Sequence, residues 1–182
     1  LVKTALDHTG VRWIEPDGCE ADDVIATLST GARAEGRAVD IMTTDKDYIP
    51  LLADRGVRLL NTGFAEERRY ATGEHIFPRY GVLAEQWPDF PALMGDPADN
   101  IRGIRGIGAK TAARLPANGR RLENIPVDEL RPAWMAQWPK ALNWREMIKL
   151  DTKTALPDNL RTATLTAPLP TAAQVLEALD LW

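Results

Sequence analysis

Three short stretches of this chain concentrate seven carboxylates: Glu20-Ala21-Asp22-Asp23, Asp45-Lys46-Asp47 and Asp96-Pro97-Ala98-Asp99. Carboxylate oxygens suit hard divalent cations, and magnesium often takes only one or two of them directly, with water filling the other positions. Two carboxylates about 4 Å apart repel by roughly 1 kcal/mol in water and by roughly 4 kcal/mol in a partly buried site. Convergence of the three clusters would therefore call for cations. Each cluster alone has a plainer account. Glu20, Asp22 and Asp23 read as acids at a helix start, where the dipole favours them. Asp45-Lys46-Asp47 reads as a turn, and Asp96 with Asp99 as a capped turn. Their joint occurrence is what points to a metal site.

The third cluster runs into Ile101-Arg102-Gly103-Ile104-Arg105-Gly106-Ile107-Gly108-Ala109-Lys110-Thr111. Gly106 and Gly108 permit a tight hairpin between helices with exposed backbone N–H groups. A phosphate can sit on such groups and on the start of the helix that follows. Lys110 adds a point charge, Thr111 a hydroxyl, and Arg102 and Arg105 flank the turn. Ala112 and Ala113 allow close helix packing. Such a contact reads phosphates rather than bases, so binding is expected to be sequence-independent and salt-sensitive. The competing account is an ordinary glycine-terminated helix followed by another. A divalent-cation site beside a phosphate-binding turn points to a metal-dependent nuclease.

These residues need elements to hold them. Val11 to Ile14 reads as a strand stopped by Pro16, Asp17 and Gly18. Val24, Ile25, Leu28 and Ala32 recur at helical spacing between Glu20 and Gly36. Ala38 to Met42 reads as a strand buried on both faces, followed by a short helix through Tyr48, Ile49, Leu51 and Leu52, then a strand at Val57 to Leu60. This alternation predicts a parallel α/β sheet. Asp45 and Asp47 then fall at its carboxyl edge, where open α/β sheets form their sites. Asp96 and Asp99 would share one side of a helical turn. Glu66 to Ala71 is a further short strand. From Thr72 the pattern becomes helical, including Ala84 to Met94 and a proline-punctuated region beyond Ile101. The expected division is a core at 1–94 and a helical region at 95–182, with the glycine turn at about 95–120.

Composition narrows the class. Of 182 residues, 45% are hydrophobic and 26% charged, the balance of an ordinary globular domain rather than a disordered chain. No apolar run approaches membrane-spanning length, and no signal-peptide pattern opens the chain. The single Cys19 excludes an intrachain disulfide and fits a reducing cytoplasm. Its acidic neighbours work against a reactive thiolate. The net charge of −4 does not exclude a nucleic-acid partner: once the clustered carboxylates are set aside, the 22 Lys and Arg outnumber the remaining acids. His8 and His75 lie outside the motifs and read as surface or helix-end residues. Trp134 and Trp138, four apart, read with Trp144 as packing residues on a helix face rather than base-stacking platforms. Leu1 opens in what reads as the middle of a helix, so the expectation is that further residues precede it.

Glu20-Ala-Asp-Asp23, Thr44-Asp-Lys-Asp47, Gly95-Asp-Pro-Ala-Asp-Asn100 and Gly103-Ile-Arg-Gly-Ile-Gly-Ala-Lys-Thr111 occur here in order. In order and spacing they resemble the 5′→3′ exonuclease and flap endonuclease family, above all the N-terminal 5′-nuclease domain of bacterial DNA polymerase I and its stand-alone and phage relatives. The resemblance implies a PIN-like, resolvase-like α/β core with a mostly parallel sheet, followed by a helix-three-turn-helix clamp. It implies two Mg²⁺ or Mn²⁺ ions, with Glu20, Asp22, Asp45, Asp47 and Asp96 in the metal site. Asp23 and Asp99 would be outer-shell or second-ion acids. Arg102, Gly103, Arg105, Gly106, Gly108, Lys110 and Thr111 would bind the duplex backbone, with K⁺ at that turn.

The implied activity is two-metal hydrolysis of DNA at 5′ ends or flaps, in replication and repair. The implied setting is a monomer in the cytoplasm of a bacterium or phage-infected cell, with a DNA polymerase fused or separate. Family members also carry an Asp on a leading strand, a basic helical arch and a further acid before the arch. None of these finds a match from Leu1 onward. The alternative expectation is accordingly a DNA-structure-binding module without catalysis. An RNA-cleaving PIN-type enzyme is a third, which the clamp motif argues against.

Overall fold

Val39 and Ile41 alternate with polar or exposed neighbours, as do Val57 and Leu59, and each set forms a strand. In the computed structural model, which describes residues 2–9, 11–156 and 169–181, β1 (Val39–Met42) and β2 (Val57–Leu60) pair in parallel, Val39 opposite Val57 and Met42 opposite Leu60. β3 (Tyr70–Ala71) pairs antiparallel with β2, completing a three-stranded sheet in the order β1-β2-β3. Ile41, Val57 and Leu59 point into the core. On the other face Asp40 and Arg58, register partners, form a two-pronged ion pair at 2.7 Å and 2.7 Å. The Arg58 guanidinium also covers the Tyr70 ring. The expectation that β1 is buried on both faces fails here, because Met42 is 72% exposed and Asp40 faces outward.

The helix expected from Glu20 is α2 (Ala21–Ala34), after α1 (Val2–Thr9). Glu20 is extended at its N-cap, Asp22 and Asp23 occupy the first turn, and Val24 and Ala26 are buried. Gly36, at φ +77°, turns the chain from α2 toward β1. Arg33 ties the end of α2 to Asp54 at 2.9 Å. Between β1 and β2 the expected short helix is a 3-10 helix, Ile49–Ala53, with Pro50 near its start.

Two predicted strands do not form as expected. The segment 11–20 carries no strand, because no neighbouring strand among the described residues offers it a ladder. Val11 instead donates its N–H to the Leu6 carbonyl. Within Glu66–Ala71 only Tyr70 and Ala71 pair, while Glu66–Arg68 is a 3-10 turn. The described sheet is therefore small and mixed, one parallel pair and one antiparallel pair, rather than mostly parallel.

The remainder is helical: α3 (Ile76–Tyr80), α4 (Asp89–Met94), α5 (Ala109–Arg114), α6 (Pro132–Met135), α7 (Trp138–Ile148) and α8 (Ala172–Ala178). Tyr80, Trp87 and Phe90 stack edge and face where α3 meets the approach to α4. One contiguous cluster of buried residues runs from Ile41 on the sheet through Leu93, Leu115 and Leu122 to Ile148 on α7. Trp134 and Trp138 belong to it, as packing residues should. They sit on two helices, however, because the chain breaks between α6 and α7. No described helix is long and apolar enough to cross a membrane.

Candidate functional site

The acids after β1 are held by two successive side-chain-closed turns. The Asp45 N–H donates to Thr43 Oγ1 at 3.0 Å, and the Asp47 N–H donates to Asp45 Oδ1 at 3.0 Å. The first turn of α2 brings Asp22 to the same place. Asp22, Asp45 and Asp47 each present a carboxylate oxygen within 4.8 Å of the others. Asp45 is exposed, and Asp22 and Asp47 are half-buried.

The third cluster reaches this group through space. The Asp47 carboxyl is pushed up to about 6, first by burial and then by Asp45, Asp99, Asp22 and Asp96. Asp99 is raised as well, by desolvation and then by Asp96, Asp45 and Asp22, with Lys46 opposing. Five of the seven predicted acids thus share one field. Lys46 moderates that field.

Glu20 and Asp23 do not join the three-carboxylate group. Glu20 stays exposed at the N-cap of α2. The Asp23 carboxylate instead accepts the Asp151 N–H at 2.8 Å. Thr27 Oγ1 accepts the Thr154 N–H at 3.1 Å and donates to the Asp151 carbonyl. These bonds fasten the segment after α7 onto α2. Nothing in the spacing of Glu20-Ala-Asp-Asp foretells this, since the partners lie more than a hundred residues away.

Asp96 and Asp99 ride on a closed loop rather than the helical turn expected from their spacing. Asp96 and Ile101 form an isolated antiparallel bridge, with both N–H···O distances at 2.8 Å. The Asp96 carboxylate folds back to accept the Ala98 N–H at 3.0 Å. Gly95 and Gly103, at φ +95° and +65°, make the loop's base. Gly103 is buried there, so its role is conformational rather than one of surface contact.

Beyond the loop, Ile101, Ile104 and Ile107 point into the core while Arg102, Arg105, Gly106, Gly108 and Lys110 stay exposed, with Thr111 half-buried. Gly106 has φ +89°, a conformation that favours glycine. Gly108 does not need glycine's freedom; a Cβ there would meet nothing within 4 Å. The Gly106 and Gly108 N–H groups have no acceptor among the described residues. The Arg105 N–H is taken by Gln137 Oε1 at 3.1 Å, which anchors the turn to the break between α6 and α7.

Sequence reasoning missed two groups. The Tyr48 hydroxyl donates to Asp22 Oδ1. Asp89, the first residue of α4, is almost fully buried, and burial pushes its carboxyl up to about 6 against the opposing pull of Arg145. Arg145 Nε on α7 lies 3.9 Å from it. The sequence pattern placed Asp89 inside a helical stretch from Ala84 to Met94 and gave no signal for it.

A small α/β sheet with acids gathered at the carboxyl edge of β1, continued by a helical hairpin α4–α5, defines a resolvase-like core followed by a small helical domain. Two family models match the chain in tandem. The 5′-3′ exonuclease N-terminal resolvase-like domain matches residues 1–81, and the 5′-3′ exonuclease C-terminal SAM fold matches residues 82–171. The chain belongs to the 5′-3′ exonuclease family. It is 42% identical over 134 residues to the thermostable DNA polymerase I of Thermus thermophilus, covering 72% of this chain and 16% of that one. With DNA polymerase I of Mycobacterium tuberculosis it shares 37% over 171 residues, 88% of this chain and 19% of that one. Among solved structures, the T5 5′-exonuclease with bound zinc superposes with a TM-score of 0.65 at 26% identity, covering 76% of this chain and 53% of that one. The bacteriophage T5 flap endonuclease in a pseudo-enzyme-product complex with DNA and metal ions has the same fold, with a TM-score of 0.63. The chain thus spans about half of the phage enzyme and under a fifth of the polymerases.

Proposed function

We propose that this chain is the nuclease portion of a metal-dependent 5′-3′ exonuclease and 5′-flap endonuclease that hydrolyses DNA phosphodiester bonds. The observation that supports this best is the meeting of Asp22, Asp45 and Asp47 within 4.8 Å. The segment bearing Asp96 and Asp99 continues directly into the exposed glycine turn. The donor set fits a divalent ion of the Mg²⁺ or Mn²⁺ kind. All three ligands are carboxylates, with no nitrogen or sulfur to favour a softer metal.

In this reading Asp22, Asp45 and Asp47 hold the ions, and Asp96 and Asp99 complete the outer shell or a second site. Glu20 stays at the rim, and Asp23 serves the 151–154 segment. Two ions bound there would supply hydroxide near neutral pH and neutralise charge on the leaving oxygen. Arg102, Arg105 and Lys110 hold backbone phosphates of the duplex, with Thr111 and the free N–H groups of Gly106 and Gly108. A K⁺ ion at the turn would complete that contact. The reading divides the chain into a nuclease core at 1–94 and a clamp-bearing helical region at 95–182. It places the protein, as a monomer, on DNA in the cytoplasm, in replication and repair beside a fused or separate polymerase.

The test uses the protein that carries this chain, a 5′-flapped duplex and Mg²⁺. The flap is released, and both EDTA and Asp45→Asn abolish release. Lys110→Ala weakens duplex binding and flattens its salt dependence. Duplex binding without cleavage at any Mg²⁺ or Mn²⁺ concentration overturns the reading and leaves a non-catalytic DNA-structure-binding module.

A further inference from the structure

Tyr48 follows the Asp45-Lys46-Asp47 cluster directly, and its place in the sequence assigns it to the apolar side of the turn that begins at Ile49. Its ring does go there. The residue is 4% exposed and packs in the core cluster with Ile49 and Leu52. Its hydroxyl leaves the core and donates to Oδ1 of Asp22, 26 residues earlier in the chain. A buried phenol normally finds a hydrogen-bond partner, and an ionised carboxylate is an acceptor with two oxygens to share.

We propose that Tyr48 is a positioning residue for the metal centre: its hydroxyl occupies one oxygen of Asp22 and so presents the other to the space shared with Asp45 and Asp47. The proposal rests on the reading of those three acids as divalent-ion ligands. Three features of the structure argue for it. Asp22 is half-buried on the first turn of α2, and among the described residues its side chain receives one hydrogen bond, from Tyr48. Without that bond its carboxylate is free to turn. Tyr48 itself is rigidly mounted, because its ring is fixed by the core and its backbone by the 3-10 turn, where Leu51 N–H donates to the Tyr48 carbonyl at 3.1 Å. The bond also spans the two segments that supply ligands, the start of α2 and the loop after β1. Partners that orient metal-binding carboxylates in this way typically change metal affinity 10–100-fold when removed.

Tyr48→Phe keeps the ring and removes only the donor. Titration of the DNA-free protein with Mn²⁺, followed by calorimetry, is expected to show affinity about 10- to 100-fold weaker than the parent. The circular dichroism spectrum should be unchanged. In an Asp22→Asn background the same change should weaken Mn²⁺ binding no further, because the group that it orients is gone. With flapped DNA, the Mg²⁺ concentration giving half-maximal rate should rise by a similar factor while KM for the duplex stays put. Mn²⁺ affinity of Tyr48→Phe within twofold of the parent, or equal weakening in both backgrounds, overturns the proposal and leaves Tyr48 a core residue. Asp45→Asn in the same titration separates the two readings. If it binds Mn²⁺ as the parent does, the ligand assignment itself has failed. If it loses Mn²⁺ while Tyr48→Phe does not, only the role of Tyr48 has failed.

Discussion

Gly95 and Gly103 meet backbone to backbone at the base of the acidic loop: a Cβ on Gly103 would stand 2.4 Å from the Gly95 nitrogen and 2.5 Å from the Met94 carbonyl carbon. The loop that they close carries Asp96 and Asp99, and the two bridge hydrogen bonds between Asp96 and Ile101 lie just inside that contact. The position of the third acidic cluster therefore depends on two residues having no side chain.

Gly103→Ala should be among the most damaging single substitutions in this protein. Its φ of +65° costs an alanine about 1–2 kcal/mol. The missing space adds about 1–3 kcal/mol of overpacking against backbone that cannot rotate away. A loss of about 2–5 kcal/mol in urea unfolding is the expected outcome. Lys110→Ala, at an exposed position, should stay within about 0.5 kcal/mol of the parent. Parent-like unfolding of Gly103→Ala would mean that the loop closes differently.

Gly106 and Gly108 look equivalent in the sequence and should behave oppositely. Gly106 sits at φ +89° with room for a Cβ 3.5 Å from Trp134 Nε1, so alanine there should cost about 1–2 kcal/mol through backbone strain alone. Gly108 has an ordinary extended conformation at the N-cap of α5 and open space around it. Gly108→Asp places a favoured capping residue there and should leave stability unchanged or raise it by up to about 1 kcal/mol. The same carboxylate would stand where a phosphate is proposed to dock. Duplex binding read by fluorescence anisotropy should fall at least tenfold, and the deficit should shrink as salt screens the repulsion. Unimpaired binding by Gly108→Asp would remove position 108 from the phosphate contact.

The contrast between the two glycines shows what the sequence carried and what it did not. Spacing was enough to find α2, β1 and β2, because periodic burial leaves a periodic pattern. It also located Asp45 and Asp47 just past β1. The segment Val11 to Ile14 has the composition of a strand, yet a strand exists only with a partner to complete its ladder, and composition holds no information about that partner. Asp22 and Asp23 are neighbours with the same local chemistry. One turns toward Asp45 and Asp47 and the other toward the Asp151 N–H, a choice made by packing more than a hundred residues away. Tyr48 reads as apolar because its ring is, and only the folded structure shows where the hydroxyl goes. Elements and clusters were legible, whereas individual side-chain partners across long sequence separations were not.

Buried Asp89 and half-buried Asp47 make the stability of the ion-free protein depend on pH in an unusual direction. Asp47 and Asp89 are each raised from an ordinary 3.8 to about 6, both chiefly by burial. The folded state therefore binds their protons more tightly than the unfolded chain does. Their stabilising share is fully present below about pH 4 and is lost as pH rises through 6. Asp54, Glu123, Glu129 and Glu146 are shifted the other way by hydrogen bonds and cationic partners, and their share is lost only at more acid pH, as it falls through their lowered values. Between pH 7.5 and 5 the first pair governs. In EDTA, urea unfolding should show the protein gaining about 1–3 kcal/mol over that interval, since one pKa unit corresponds to about 1.4 kcal/mol and Asp47 is partly screened by solvent. Asp89→Asn should remove part of the gain. Saturating Mn²⁺ should oppose it, because ions bind the deprotonated carboxylates and their stabilisation is greatest at pH 7.5 and fades below 6. A flat profile in EDTA from pH 7.5 to 5 would show that neither acid is held toward its neutral form by the fold.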